Sequence, residues 1–388
     1  MQYLIDFAEE ESIKRITEVA AEYPVVQGLV LDVDRYWLRC WHSEFGYTAR
    51  TQGIEPMYPE EWWRPTSPYV YAYPLTIDYL EGWRPPDWDG YLKSRQLDPE
   101  AGPVVAKVCM RPSESGVDRV PALEKFQDRE DLLRVVFELR SVAELASDGQ
   151  KNPLHRAWRP MPGGVSVGAG DTDFGTLCVT LRDQAHKDYA ITCAHIVPHG
   201  NDAAQPAARD SKKSSRIGSS IAASALAECT QNDDFNPWLR GVSNEHDISL
   251  IEIDASQAGT LPEVLDIGPL SKISKRSSLS PAQAVEVMGR TSHRGALQIG
   301  GVALWYKFKH GDKQYCFRNL FEVESPSGTA AVRPVRHGDS GAPVCTVGPG
   351  GTNWCGMIVG CDYYKGFAIF SETIESWWQD EGYSLSIT

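Results

Sequence analysis

Apolar and polar residues alternate in short runs through most of the second half of this chain, which is the period of half-buried β-strands. Phe174–Leu181 reads as one such strand, with Tyr189–Ala194 as its hairpin partner. His246–Ile253 opens on polar residues, alternates Ile248 and Leu250 with Ser249, and runs on to Ile253. Ala284–Thr291, Gly295–Phe308, Gln314–Val323, Trp354–Gly360 and Gly366–Phe370 continue the series. The period changes at Ser371–Glu381, where Ile374, Trp377 and Trp378 follow early Glu372 and Glu375 and predict a closing helix. The polar stretch Asn201–Ser220, rich in Ala, Ser and Lys, reads as a surface loop, and Pro262–Ser280 as a link between two β units.

The first 150 residues are patterned differently. Ala8–Ala21 places Ile13, Ile16, Val19 and Ala20 on one side of an amphipathic helix. Val25–Cys40 is apolar and alternating and predicts strands, as does Pro103–Met110, whereas Arg129–Leu145 reads as a helix. Met57–Tyr91 concentrates Trp62, Trp63, Trp83 and Trp88 among prolines and tyrosines, a composition suited to covering a core or a domain interface, with binding of a partner or ligand as the alternative. Ser147–Pro153 reads as a linker. The expected organisation is a small α+β domain over residues 1–150, then a mainly β domain over 160–380.

A chain of 388 residues with 42% hydrophobic residues is long enough for two or three domains. Its net charge of −14 argues against a general nucleic-acid or anionic-membrane binder. No run of about 18 apolar residues is present to span a bilayer. The acidic opening Met1–Glu11 lacks the basic-then-apolar order of a secretory signal, so a cytoplasmic location is expected. The nine cysteines are irregularly spaced and include no Cys-x-x-Cys pair. Most are expected to be reduced core residues, and neither a metal nor an organic cofactor is expected.

Three segments carry candidate chemistry. In Arg336-His337-Gly338-Asp339-Ser340-Gly341-Ala342-Pro343-Val344, glycines on both sides of Ser340 allow a sharp turn and close approach of a substrate carbonyl. The amides of Gly338 and Ser340 can converge on one point, as a tetrahedral oxyanion requires. A serine hydroxyl is a poor nucleophile until a base takes its proton, and a histidine base is held in the right tautomer by a buried carboxylate. Ala190–Val197 supplies His195 at the end of an apolar run, and His246–Ile253 supplies Asp247 at the start of one. A competing Gly-x-Ser-x-Gly signal at Gly164–Gly168 lacks the strand before it and the helix after it that a nucleophile elbow needs.

On these residues the chain resembles a trypsin-like (chymotrypsin-fold) serine protease, of an intracellular bacterial type with an extra N-terminal domain. Thr192-Cys193-Ala194-His195, His246–Leu250 and Gly338–Pro343 match that family's three motifs in its order, with Ala342 in place of one glycine. The resemblance implies two six-stranded antiparallel β-barrels (about 162–262 and 280–370), a C-terminal helix at 371–381, and hydrolysis of peptide bonds. It assigns His195, Asp247 and Ser340 to catalysis and Gly338 and Ser340 to the oxyanion hole. It also places Pro334, Val335, His337, Val359, Gly360, Cys361 and Gly366 around the substrate pocket. Pro334 stands where trypsin has the aspartate that attracts Arg or Lys, so the pocket is expected to favour apolar side chains, with Arg333, Arg336 and His337 allowing acidic ones. The expected partners are a protein or peptide substrate and a regulatory protein acting through the N-terminal domain, with a role in bacterial stress or antiphage defence as an analogy. The alternatives are a latent protease-fold binding protein and an esterase.

Overall fold

The computed structural model describes residues 1–7, 11–23, 25–41, 82–98, 100–111, 126, 133–140, 143–145, 156–170, 174–229, 244–326, 334–348 and 351–387. Two six-stranded antiparallel barrels dominate it, in agreement with the expected chymotrypsin-like class. In the first, Ser166–Val167 pairs with Gly175–Thr176, whose chain runs on into Thr180–Asp183. That strand pairs with Asp188–Thr192, followed in order by Ser249–Ile253, Ser215–Ala223 and Asp202–Gln205. A bridge between Gly168 and Ala204 closes the ring.

The second barrel closes without any strand from outside it. Ala284–Gly289 pairs with His293–His310, then Lys313–Glu324, Lys365–Phe370, Gly351–Cys361 and Pro343–Gly348, which returns to Ala284–Gly289. The closing helix is Ser371–Asp380; its Trp378 ring lies nearly parallel to that of Trp354, with centroids 6.2 Å apart, and is fully buried there.

His293–His310 is longer than the barrel needs, and its far half carries the N-terminal residues. Val26–Val33 pairs antiparallel with it, Gly28 opposite Tyr306 and Leu31 opposite Val302. Only a glycine fits at position 28, because a Cβ there would come within 2.3 Å of the Tyr306 ring. Val104–Met110 adds antiparallel to Val26–Val33, and Arg134–Leu139 adds parallel beyond it. Leu29, Leu31 and Val108 share one apolar core with Leu297, Ile299 and Phe321 of the barrel.

A buried charge cluster reinforces this junction. Arg140, 1% exposed, pairs with Glu322 and with Glu138 (2.8 Å), while Lys365 pairs with Glu324, and Arg35 bridges Asp32 (3.2 Å) and Glu324 (2.8 Å). Burial opposes the charge on Glu322, but Arg140, Lys365 and Lys107 together outweigh it and hold its carboxyl at about 2. Removing one member would leave its partner charged in a dry site, which is why such clusters lock elements together.

Several expectations need correction. Residues 201–220 are not a loop: Asp202–Gln205 and Ser215–Ala223 are barrel strands, with Ala203, Ile217, Ser220 and Ala222 turned inward. Small inward residues kept the apolar signal low. The helix expected over 129–145 is instead the strands Arg134–Leu139 and Ala143–Leu145, because a neighbouring strand edge was available to pair with. Val25–Cys40 is strand only to Val33; Asp34 then accepts hydrogen bonds from the amides of Tyr36 (2.8 Å) and Trp37 (3.2 Å) and starts a helix over 35–41. The expected helix is found as Glu11–Ala21. Of 57–91 only 82–91 falls within the described residues, where Trp83 meets Trp37 edge-on at 5.0 Å. The linker expected at 147–153 lies outside them. Cys229 and Cys316 form a disulfide, and the other seven cysteines are thiols, six of them buried.

Candidate active site

His195 lies just past the Asp188–Thr192 strand, in a single helical turn where the amides of Ile196 and Val197 both donate to the Cys193 carbonyl (3.1 Å each). Asp247 immediately precedes the Ser249–Ile253 strand, which pairs with Asp188–Thr192. That pairing brings two residues 52 positions apart into contact: His195 Nδ1 is 2.5 Å from Asp247 Oδ2, and the His195 amide donates to Asp247 Oδ1 at 3.1 Å. Asp247 is fully buried. A carboxylate on Nδ1 keeps the proton there and leaves Nε2 as a base. Nε2 is buried and makes no hydrogen bond to any described residue.

Ser340 sits on a turn fixed from both sides. The Asp339 amide donates to the Arg336 carbonyl (3.0 Å) and the Ala342 amide to the Asp339 carbonyl (2.8 Å). The Gly341 amide reaches Ile358 of the neighbouring strand (2.7 Å), and the Ser340 carbonyl accepts from the Thr176 amide of the other barrel (2.7 Å). Gly341 has φ +91°, and a Cβ there would lie 1.9 Å from the Thr176 carbonyl oxygen. The Ser340 hydroxyl donates to the Val359 carbonyl at 2.9 Å.

Gly338 has φ +97°, and its carbonyl accepts from Thr176 Oγ1 at 3.0 Å. Thr176 Oγ1 in turn accepts from the Arg290 amide at 3.1 Å. The Arg290 side chain pairs with Asp210 and lies over the Phe174 ring, 4.4 Å from its centroid. Asp339 is buried and accepts from the amides of Thr291 (2.8 Å), Ser292 (3.1 Å) and Arg336 (2.8 Å). Burial nevertheless raises its carboxyl above the usual range, against those hydrogen bonds.

Among the residues assigned to the pocket, Val359 accepts the Ser340 hydroxyl as above, and Val335 packs on Gly366, where a Cβ would come within 2.5 Å of its Cγ2. Pro334 and Val335 are buried and His337 is half-buried in the segment leading to Ser340. Gly360 and Cys361 end the Gly351–Cys361 strand. Their open edge is taken by Ala143–Leu145, with Leu145 opposite Gly360 and Glu144 opposite Cys361. Three features went unseen in the sequence. Thr176 and Arg290 belong to no motif, and a three-residue strand is too short to show a period.

Cys193, His195 and Asp247 place one ligand atom each within 4.8 Å of one another. Burial pushes the Cys193 thiol far above its ordinary range, and its sulfur donates to the Ile358 carbonyl at 3.4 Å. Ser166, of the competing motif, is buried in a strand and bonds to Asp210, which is a structural role. No described helix is long and apolar enough to cross a membrane.

No family model and no curated protein matches this sequence. Among solved structures, the chain is similar to a glutamic acid specific serine protease, at 14% identity and TM-score 0.37, covering 56% of this chain and 98% of that one. It is similar to Thermobifida fusca Protease A at 15% identity and TM-score 0.37, covering 57% and 96%. An alpha-lytic protease homolog, N4, gives 14% identity and TM-score 0.39, covering 59% and 100%. Similarity at this level carries no weight for the activity of this chain.

Proposed function

We propose that the chain is a serine endopeptidase acting through Ser340, His195 and Asp247. The observation that carries this reading is the 2.5 Å contact between His195 Nδ1 and Asp247 Oδ2, taken together with the glycine-flanked turn that carries Ser340. In the reaction, His195 Nε2 removes the Ser340 proton as Oγ attacks a peptide carbonyl, then gives that proton to the departing amine. Asp247 holds the ring and stabilises the imidazolium. The amides of Gly338 and Ser340 receive the oxyanion, and water releases the acyl-enzyme by the same route.

Val335 lies close on the Gly366 backbone, and a pocket lined by these two would favour small apolar side chains; exposed Arg336 and half-buried His337, in the segment leading to Ser340, leave acidic ones as the alternative. The three amides on Asp339 support an oxyanion turn ordered without a newly cleaved N-terminus, with control passing instead to the N-terminal residues or a partner. Labelling with a fluorophosphonate, wild type against Ser340→Ala, tests the reading. An adduct mapped by intact mass and lost in the variant is the expected result. An adduct that survives Ser340→Ala would refute it.

A further inference from the structure

The partners of the Gly351–Cys361 strand, followed along one edge, lead to the nucleophile and past it. Residues 351–357 pair with Pro343–Gly348. Ile358 exchanges hydrogen bonds with Gly341 (2.7 Å) and Ala342 (2.9 Å). The Val359 carbonyl takes the Ser340 hydroxyl (2.9 Å). The next two residues, Gly360 and Cys361, pair with Leu145 and Glu144. The strand Ala143–Leu145 therefore lies directly alongside the nucleophile, on the sheet edge where an extended peptide would add to reach it.

Its polarity is that of a substrate. Being antiparallel, it runs from Cys361 towards Gly360 and Val359, so its C-terminal direction leads to Ser340, as the acyl half of a cleaved peptide must. It is held on its other side by Phe308 and Lys309 and through a fully buried Ala143. The preceding Arg140 is tied into the buried ion cluster, and its carbonyl accepts from Gln27 at 3.1 Å. Ser340 is fully buried and the His195 side chain is 4% exposed, so neither is open to an incoming protein chain.

We propose that Ala143–Leu145 is a built-in competitor that occupies the Gly360–Cys361 edge, with which an extended peptide substrate would otherwise pair. This rests on the reading of Ser340 as the nucleophile. A tethered occupant acts at an effective concentration in the millimolar range, so peptides must displace it to bind.

The test separates docking from catalysis. On a Ser340→Ala background, binding of a fluorescein-labelled peptide copying residues 142–147 is followed by anisotropy, with and without Glu144→Pro/Leu145→Pro. The prolines remove main-chain donors from the strand and leave the barrels untouched. The proline variant should bind the peptide at least tenfold more tightly. Equal binding, or none, in a variant with native circular dichroism would overturn the proposal. Should the variant not fold, amide exchange in the wild type decides: protection of Gly360 and Cys361 to the level of the barrel strands is expected, and exchange at the rate of exposed loops overturns it. Tenfold tighter binding with no fluorophosphonate labelling of the Ser340 proline variant would keep the docking edge and discard the nucleophile. Labelling without a change in binding would do the reverse.

Discussion

The hydroxyl of Ser340 donates to the carbonyl of Val359 at 2.9 Å and not to His195, whose buried Nε2 has no hydrogen-bond partner among the described residues. On the proposed reading, the Ser340 hydroxyl must leave the Val359 carbonyl before His195 can take its proton. His195→Ala and Ser340→Ala should each lower kcat on the order of 10⁶-fold, and Asp247→Asn about 10⁴-fold through the wrong tautomer. Single-turnover kinetics on a peptide ester would check the order. Near-wild-type rates in Asp247→Asn would remove the dyad from the mechanism.

Thr176 ties the oxyanion turn to the first barrel by donating to Gly338 at 3.0 Å. Thr176→Val keeps the shape and loses that bond, so kcat should fall about tenfold to a hundredfold with KM nearly unchanged, the signature of a misplaced transition-state donor. A change confined to KM would mean the turn is positioned by other contacts.

Gly341 combines φ +91° with a missing Cβ that would meet the Thr176 carbonyl at 1.9 Å. Gly341→Ala should destabilise the fold by more than about 3 kcal/mol, since clash adds to backbone strain. Thermal melting checks this, and an unchanged midpoint would contradict the packing of the two barrels at this point.

Asp362 follows the docking edge, and burial raises its carboxyl from 3.8 to about 6, with Arg140 pulling the other way. Because the folded value exceeds the unfolded one, its contribution is full below pH 3.8 and is lost as pH rises through 6, amounting to about 3 kcal/mol. Glu322, held at about 2, stays ionised throughout that window. Urea unfolding at pH 5 and pH 7 should show Asp362→Asn flattening the decline seen in the wild type. Equal pH slopes would acquit Asp362.

The Cys229–Cys316 bridge fastens the segment before Asp247 to the Lys313–Glu324 strand across 87 residues. Cys229→Ser/Cys316→Ser should cost about 2–5 kcal/mol, measured by chemical unfolding without reductant. A loss below 1 kcal/mol would show that barrel pairing alone positions that segment.

What the sequence made legible is unevenly distributed for physical reasons. His195, Asp247 and Ser340 stand in short motifs whose chemistry requires those neighbours, and the long apolar strands carry a clear period. Asp202–Gln205 and Ser215–Ala223 were misread because their inward faces use alanine and serine, which barrel curvature accommodates but hydropathy does not register. Arg134–Leu139 has no strong period of its own and becomes a strand only because Val104–Met110 offers it a partner. The disulfide joins residues brought together by the fold alone, and Thr176 acts through a hydroxyl that is ordinary in its own strand.

The long hairpin of His293–His310 and Lys313–Glu324 has a bearing on solubility. Its far half projects beyond the closed ring, and Val26–Val33 saturates the backbone groups along that side. Stripped of this cover, residues 302–306 would present a flat, apolar, unpaired edge, the template on which chains stack into aggregates. The N-terminal layer therefore doubles as a shield, and a barrel pair produced alone would need a charge or a proline on that edge to stay dispersed.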